Sequence, residues 1–256
     1  MVQTQSGSMN IFLLLAFLFY IGSTLGWIAE LLFRRFKLSN KDHCWVNPGF
    51  LIGPYLPLYG FGLDILFLCS LLKKHIPPLP LGVEILVVFI FLSVLMTLLE
   101  LIAGEIFIVG FKVKLWDYTT RKWNYKGIIC PLFSVIWGGV GLIYTYFIHA
   151  YITKAIMWFS NNLAFSFVVG LFFGVFIVDV CYSLKLTTKI RKFAKESRIV
   201  VLYEDFKQSV RIKEMQARGR RARFLLSIVP SIKSLKDYVE EWKNEYCDKV
   251  RTIKKK

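Results

Sequence analysis

The chain has 256 residues, of which 55% are apolar, with 23 phenylalanines and a mean hydropathy of +0.52. Together with several apolar runs long enough to cross a bilayer, this excludes an ordinary soluble domain and predicts an all-α, polytopic membrane helix bundle. The formal charge of +16 is concentrated: residues 185–256 hold 21 of the 33 Lys+Arg and 9 of the 17 Asp+Glu, a net +12, so the apolar part is nearly balanced.

A basic tail beside a membrane is explained by anionic lipid headgroups, at about 1 kcal/mol per Lys or Arg near the surface, more simply than by nucleic acid. Membrane lipids are therefore the expected partner of the tail, and nucleic acid is not. The cysteines are Cys44, Cys69, Cys130, Cys181 and Cys247, an odd count with no C-x-x-C and no accompanying His cluster. No metal site, disulfide framework or cofactor is implied. Residues 1–10 carry no positive charge before the first apolar run, so that run is expected to be a retained span and not a cleaved signal.

Five spans are predicted, near 11–33, 49–72, 81–109, 128–152 and 163–184, forming a transmembrane domain over 1–184 and leaving a basic amphipathic tail over 185–256. The loops after spans one and three hold Arg34, Arg35, Lys37 and Lys41, then Lys112, Lys114, Arg121, Lys122 and Lys126. The alternate loops hold only Lys73 and Lys74, then Lys154. Positive-inside bias places the N-terminus outside and the C-terminus in the cytoplasm of a multi-pass cell-membrane protein.

In span one, Ser23, Gly26 and Glu30 share a helical face beside Trp27. Glu30 either joins a polar site or pairs with Arg34 one turn later. The next segment, from Asn47, Pro48 and Gly49 through Phe50, Leu51, Gly53, Pro54, Pro57, Tyr59, Gly60 and Gly62, has three prolines and four glycines within sixteen residues. A regular helix does not readily start there. Backbone left open at membrane depth is tolerated only inside protein or beside a wet cavity. Two readings stay open, a kinked helix packed through glycine and a broken helix that binds a ligand. Asp64 would lie on the face of Gly53, Pro57 and Gly60.

Span three carries two acids, Glu100 and Glu105. An acid at the centre of a membrane helix costs roughly 2.5–3.5 kcal/mol, so the default reading is a site. Ser93, Thr97, Glu100 and Gly104 fall within about 60° of one another, while Glu105 points about 140° from Glu100, so the two are not a dyad on one face. The hook that follows mixes aromatic and basic residues around Trp116, Asp117 and Tyr118, suited to the interface. From residues alone, Asp117 pairs most simply with Lys114 or Arg121. Cys130 and Pro131 open the return helix, where Ser134, Gly138, Gly141 and Thr145 form a small-residue stripe. Asp179, near the cytoplasmic end of span five, faces the bundle or pairs with Lys185. The tail shows two helix-like segments, roughly 187–218 and 231–253, separated by Gly219 and Pro230.

Of the eight acids before residue 185, six lie within the apolar spans or at their edges. That ratio predicts a polar cavity facing the cytoplasm, fit for a cation, a proton or acid/base chemistry. No G-x-S-x-G, H-E-x-x-H or Walker A motif occurs, so a P-loop in this chain cannot drive ATP hydrolysis.

In this order the motifs resemble the "putative ABC-transporter type IV" (CmpB-like) membrane family, related to the transmembrane protein 229 group, over about residues 22–150. The shared pattern is Gly26-Trp27 with Glu30; Asn47, Gly49-Phe50-Leu51 and Gly53-Pro54; Pro57, Tyr59-Gly60 and Gly62. It continues with Glu100 and Glu105; Trp116-Asp117-Tyr118 with Asn124 and Gly127; and Cys130, Phe133-Ser134 and Trp137-Gly138. Two departures are Pro48, where a basic residue is usual, and Leu115-Trp116, where a doubled Trp is usual. The resemblance implies a transport-associated role and moves Asn47 and Asp117 from loop residues to site residues. The expected cavity lining is Glu30, Asn47, Gly49, Gly53, Pro54, Tyr59, Glu100, Glu105, Trp116, Asp117, Tyr118, Asn124, Cys130 and Ser134.

The leading expectation is a permease-like or transport-associated membrane protein, with a separate ATPase subunit as a partner if it serves an ABC system and a homo-oligomer as a further option. The alternatives are an intramembrane enzyme acting on a lipid or small molecule, and a non-catalytic scaffold whose acids pair with Lys and Arg.

Overall fold

The computed structural model describes residues 10–36, 45, 47–73, 77, 79–196 and 201–202. Most of them are helical: α1 (Ile11–Phe36), α2 (Pro57–Lys73), α3 (Leu81–Phe111), α4 (Pro131–Ile143), a π-helical turn (Tyr144–Ile148), α5 (His149–Asn161), a short 3-10 turn (Leu163–Phe165) and α6 (Ser166–Glu196). The Asn10 side chain accepts a hydrogen bond from the Phe12 N–H at 2.9 Å and so starts α1. Arg34 and Arg35 sit in its last turn, where cations oppose the helix dipole. α4 starts as its sequence dictates: Cys130 is extended, and Pro131 stands at the first helical position with no N–H to leave unpaired.

Four stretches are long and apolar enough to cross a membrane: Ile11–Phe36, Leu81–Phe111, Pro131–Asn161 and Leu163–Lys185. The second expected span, 49–72, is helical only from Pro57. Its 17 residues rise about 26 Å, a little short of the roughly 30 Å of a hydrocarbon core. The fourth expected span, 128–152, begins at Pro131 and continues through the π turn to Asn161. α6 crosses residue 184 without a break and reaches Glu196. The helix expected over 187–218 is interrupted beyond that point, because Val201–Leu202 is extended and pairs in parallel with Val113–Lys114. A β-branched residue such as Val201 suits that conformation. The rest of the tail, including the expected 231–253 helix, lies outside the described residues.

The described residues group into two compact units. The first draws on Met1–Ala29, Tyr55–Ala103 and Tyr118–Val178. Its core is Leu14, Leu18, Leu66, Phe67, Leu92, Met96, Tyr144, Ile152 and Ile156, with a second cluster of Phe17, Phe159 and Val169. Small residues set how closely its helices approach. A Cβ added to Gly141 would lie 2.6 Å from Leu92, and Gly22 backs onto Leu63 and the Tyr59 carbonyl. This is the close helix packing that the small-residue stripe on α4 predicted. At the entry to α2 the Leu56 N–H donates to the Ser23 carbonyl of α1 at 2.9 Å.

The second unit draws on Glu30–Pro54, Gly104–Asp117 and Asp179–Lys256. Here the Phe50 ring meets Phe107 edge-on at 4.8 Å, and Arg35 lies over the Trp45 ring at 4.2 Å. Val113, Ser183 and Thr187 are fully buried.

Candidate functional site

In the first unit the site is built on Glu100. α3 places it in an apolar stretch, and it is only 3% exposed. The Tyr118 hydroxyl donates to its Oε1 at 2.9 Å. Tyr118 is held in turn by its ring, stacked on Phe133 of α4 at 4.4 Å with the planes 11° apart. The buried indole N–H of Trp137 lies near the same carboxyl group but does not reach hydrogen-bond geometry. Tyr59 packs edge-on against Trp137 at 6.0 Å, and its position depends on Gly26, where any Cβ would fall 2.3 Å from the Tyr59 side chain.

A hydroxyl pair runs beside this group. Thr97 donates to Ser134 at 2.8 Å, and Ser134 donates to the Cys130 carbonyl at 3.3 Å. Ser93 donates to the Phe89 carbonyl, and Gly138 leaves the room it needs. The polar stripe expected along α3 therefore meets the α4 stripe through Thr97 and Ser134. Cys130 is buried at the start of α4, and its side chain does not cap the helix.

Asn124 acts through the hook and not on the carboxyl group. Its amide donates to the Thr119 and Arg121 carbonyls, and its oxygen accepts from the Gly127 N–H at 3.0 Å. The Tyr118 N–H donates to the Gly127 carbonyl at 2.9 Å, so the turn that Asn124 closes also fixes the backbone of the residue holding Glu100.

The charges near Glu100 make it chemically distinct. Among the described residues its partners are the neutral Tyr118 hydroxyl and, more loosely, the Trp137 indole, with no Lys, Arg or His paired to it. Glu84, by contrast, pairs with Lys73 and accepts from the Tyr146 hydroxyl at 2.9 Å. Asp64 on α2 is a second carboxyl without a cation. It is half-buried, and its Oδ1 is fully enclosed with no hydrogen-bond partner among the described residues. A buried carboxyl group with only neutral donors can exchange its charge for a bound cation or proton without first breaking an ion pair.

In the second unit the organising residue is Asp179 on α6. Its carboxylate accepts the Gly53 N–H at 2.7 Å and the Ile52 N–H at 3.1 and 3.2 Å, while Ser183 donates to its Oδ1 at 3.0 Å. Asn47, only 3% exposed, donates to the Leu51 and Ile52 carbonyls at 3.3 and 2.7 Å. Gly49 turns the chain with φ 77°, a conformation that costs glycine little. The non-helical backbone of 49–54 is thus tied by an acid and an amide. The segment is therefore not one kinked helix from residue 49, since regular helix begins only at Pro57.

The other predicted residues of this unit are placed as follows. Glu30 pairs with Arg34 at 2.9 Å, the simpler of its two readings. Asp117 is exposed and pairs with Lys114 at 3.3 Å. Gly53 is half-buried and Pro54 exposed, while Glu105 and Trp116 are half-buried. Glu100 and Glu105 belong to different units, in keeping with their divergent directions on α3. Sequence reasoning left Asp179, Ser183 and Trp137 out of the lining. Asp179 carried a readable signal, an acid in an apolar span, whereas Ser183 carried none.

The profile of the family described as "Putative ABC-transporter type IV" matches residues 17–184. No curated protein matches the chain, and no solved structure does.

Proposed function

The chain belongs to the family described as "Putative ABC-transporter type IV", and from that premise we propose that it is a permease-like, transport-associated membrane protein in which Glu100 is the group that handles charge. The observation carrying this reading is that Glu100 is buried in an apolar helix with neutral partners, whereas Glu30, Glu84 and Asp117 are each ion-paired. An acid held in a bilayer at such cost, without a salt bridge to account for it, marks an ion or substrate path. The Tyr118 hydroxyl is a neutral donor to this carboxyl group, and a cation or proton arriving there displaces no resident ion-pair partner. Asp64 extends the same chemistry to α2. On the orientation that the positive-inside bias predicts, the basic loops and tail would offer a cytoplasmic surface for a separate ATPase subunit, which an ATP-driven cycle requires because this sequence has no Walker A motif.

The test compares a strain lacking the gene with the same strain carrying the wild type or Glu100→Gln, by untargeted lipid and metabolite profiling. Glutamine keeps an acceptor for Tyr118 and so preserves the fold. The wild type is expected to restore the profile, and Glu100→Gln, present in the membrane at the same level, is expected to leave it at that of the deletion. Full restoration by Glu100→Gln sinks the proposal.

A further inference from the structure

The hook between α3 and α4 carries a feature that the Glu100 site does not use. Trp123 is 88% exposed, the most exposed large apolar side chain among the described residues, and it stands on a loop and not on a lipid-facing helix. Arg121, Lys122, Tyr125 and Lys126 around it are all exposed. Neither Arg121 nor Lys122 forms an ion pair among the described residues, and Lys126 lies 5.3 Å above the Tyr125 ring. The prong is rigid, because Asn124 at its centre bonds three backbone groups and the Tyr125 N–H donates to the Ile129 carbonyl at 2.9 Å. Trp123 and Lys126 adopt φ 56° and 54°, a left-handed backbone that is strained for side chains of this size.

A fully exposed Trp on strained backbone gains nothing in water. The loop joins two candidate spans, Leu81–Phe111 and Pro131–Asn161, so it emerges at a membrane face. There, Trp and Tyr rings are favoured at the level of the headgroups, and Lys and Arg are drawn to anionic lipid. The strain then has a use: it turns an indole and adjacent cations outward together. We infer that residues 121–126 form a built docking surface for anionic phospholipid headgroups, with Trp123 inserted at the interface and Arg121 and Lys122 pairing with phosphate or carboxylate.

The test reconstitutes the full chain in phosphatidylcholine vesicles with a small fraction of phosphatidylserine or phosphatidylcholine carrying a nitroxide at the same shallow position. The Trp123 signal is the fluorescence difference between wild type and Trp123→Phe, a change at so exposed a position that unfolding temperature should not move. Labelled phosphatidylserine is expected to quench this signal more than labelled phosphatidylcholine. The preference should fall by roughly fivefold for each charge removed in Arg121→Gln and Lys122→Gln, and shrink with added salt. Equal quenching by the two lipids overturns the inference, as does quenching by aqueous acrylamide but by neither lipid. Protection that appears only on adding a soluble partner protein also overturns it, and assigns the prong to protein docking.

Discussion

Replacing Asp179 by alanine removes the acceptor for two backbone donors, the Ile52 and Gly53 N–H groups, and for the Ser183 hydroxyl. The hydroxyl can turn to a backbone carbonyl, but the two N–H groups cannot. The Gly53 bond, at 2.7 Å to a carboxylate, has the length of a charge-assisted bond, while the Ile52 donor is shared between both oxygens. Because the group is only half-buried, the loss is set near the lower end of the range for charged acceptors, about 2–4 kcal/mol for both donors together. That free energy acts on local opening of 49–54 and corresponds to roughly 30- to 1,000-fold faster exchange of the Ile52 and Gly53 amides. Hydrogen–deuterium exchange of the peptide covering these residues, in detergent or nanodiscs, reads it directly. Asp179→Asn retains one acceptor oxygen and should fall between, and exchange in the Leu14–Leu18 core should not change. A folded Asp179→Ala variant whose Ile52 and Gly53 amides exchange at the wild-type rate would refute the claim that α6 holds this segment.

Two further outcomes follow from the same contacts. Gly26→Val puts a branched side chain where even a Cβ lies 2.3 Å from Tyr59. Overpacking of about 1–3 kcal/mol is expected, read as a lower unfolding temperature by size-exclusion thermostability, with Gly26→Ala milder and both relieved in part by Tyr59→Ala. Asn124→Ala releases the three backbone groups that close the hook. Because the loop is exposed, the cost is about 1 kcal/mol, and the sign is faster tryptic cleavage at Arg121, Lys122 and Lys126 with little change in global stability. Cleavage at the wild-type rate would show that the hook is closed by other contacts.

What could be read from residues was what depends on near neighbours. Cys130-Pro131 opens α4 because proline suits a first helical turn, whereas the expected span 49–72 did not mark the same kind of start at Pro57. Glu30 and Arg34 stand four apart and Lys114 and Asp117 three apart, so both pairs followed from helix and turn spacing. The π turn at Tyr144–Ile148 left no mark in an apolar run, since its residue types suit an α-helix equally well.

The acids separate along the same line. Asp179 reaches Ile52 across 127 residues, and Tyr118 reaches Glu100 across 18, distances over which periodicity carries no information. Hydropathy could mark both as costly acids, but the meaning of each depends on what stands opposite. Asp179 is occupied with holding backbone, a task in which a lost charge would loosen the segment it ties. Glu100 is met by a hydroxyl whose own ring is clamped on Phe133, so its surroundings can stay in place while its charge changes. An acid that fastens structure is poorly suited to cycling a ligand, whereas one cradled by fixed neutral donors is well suited to it. It is on this difference in partners, and not on burial alone, that the role proposed for Glu100 rests.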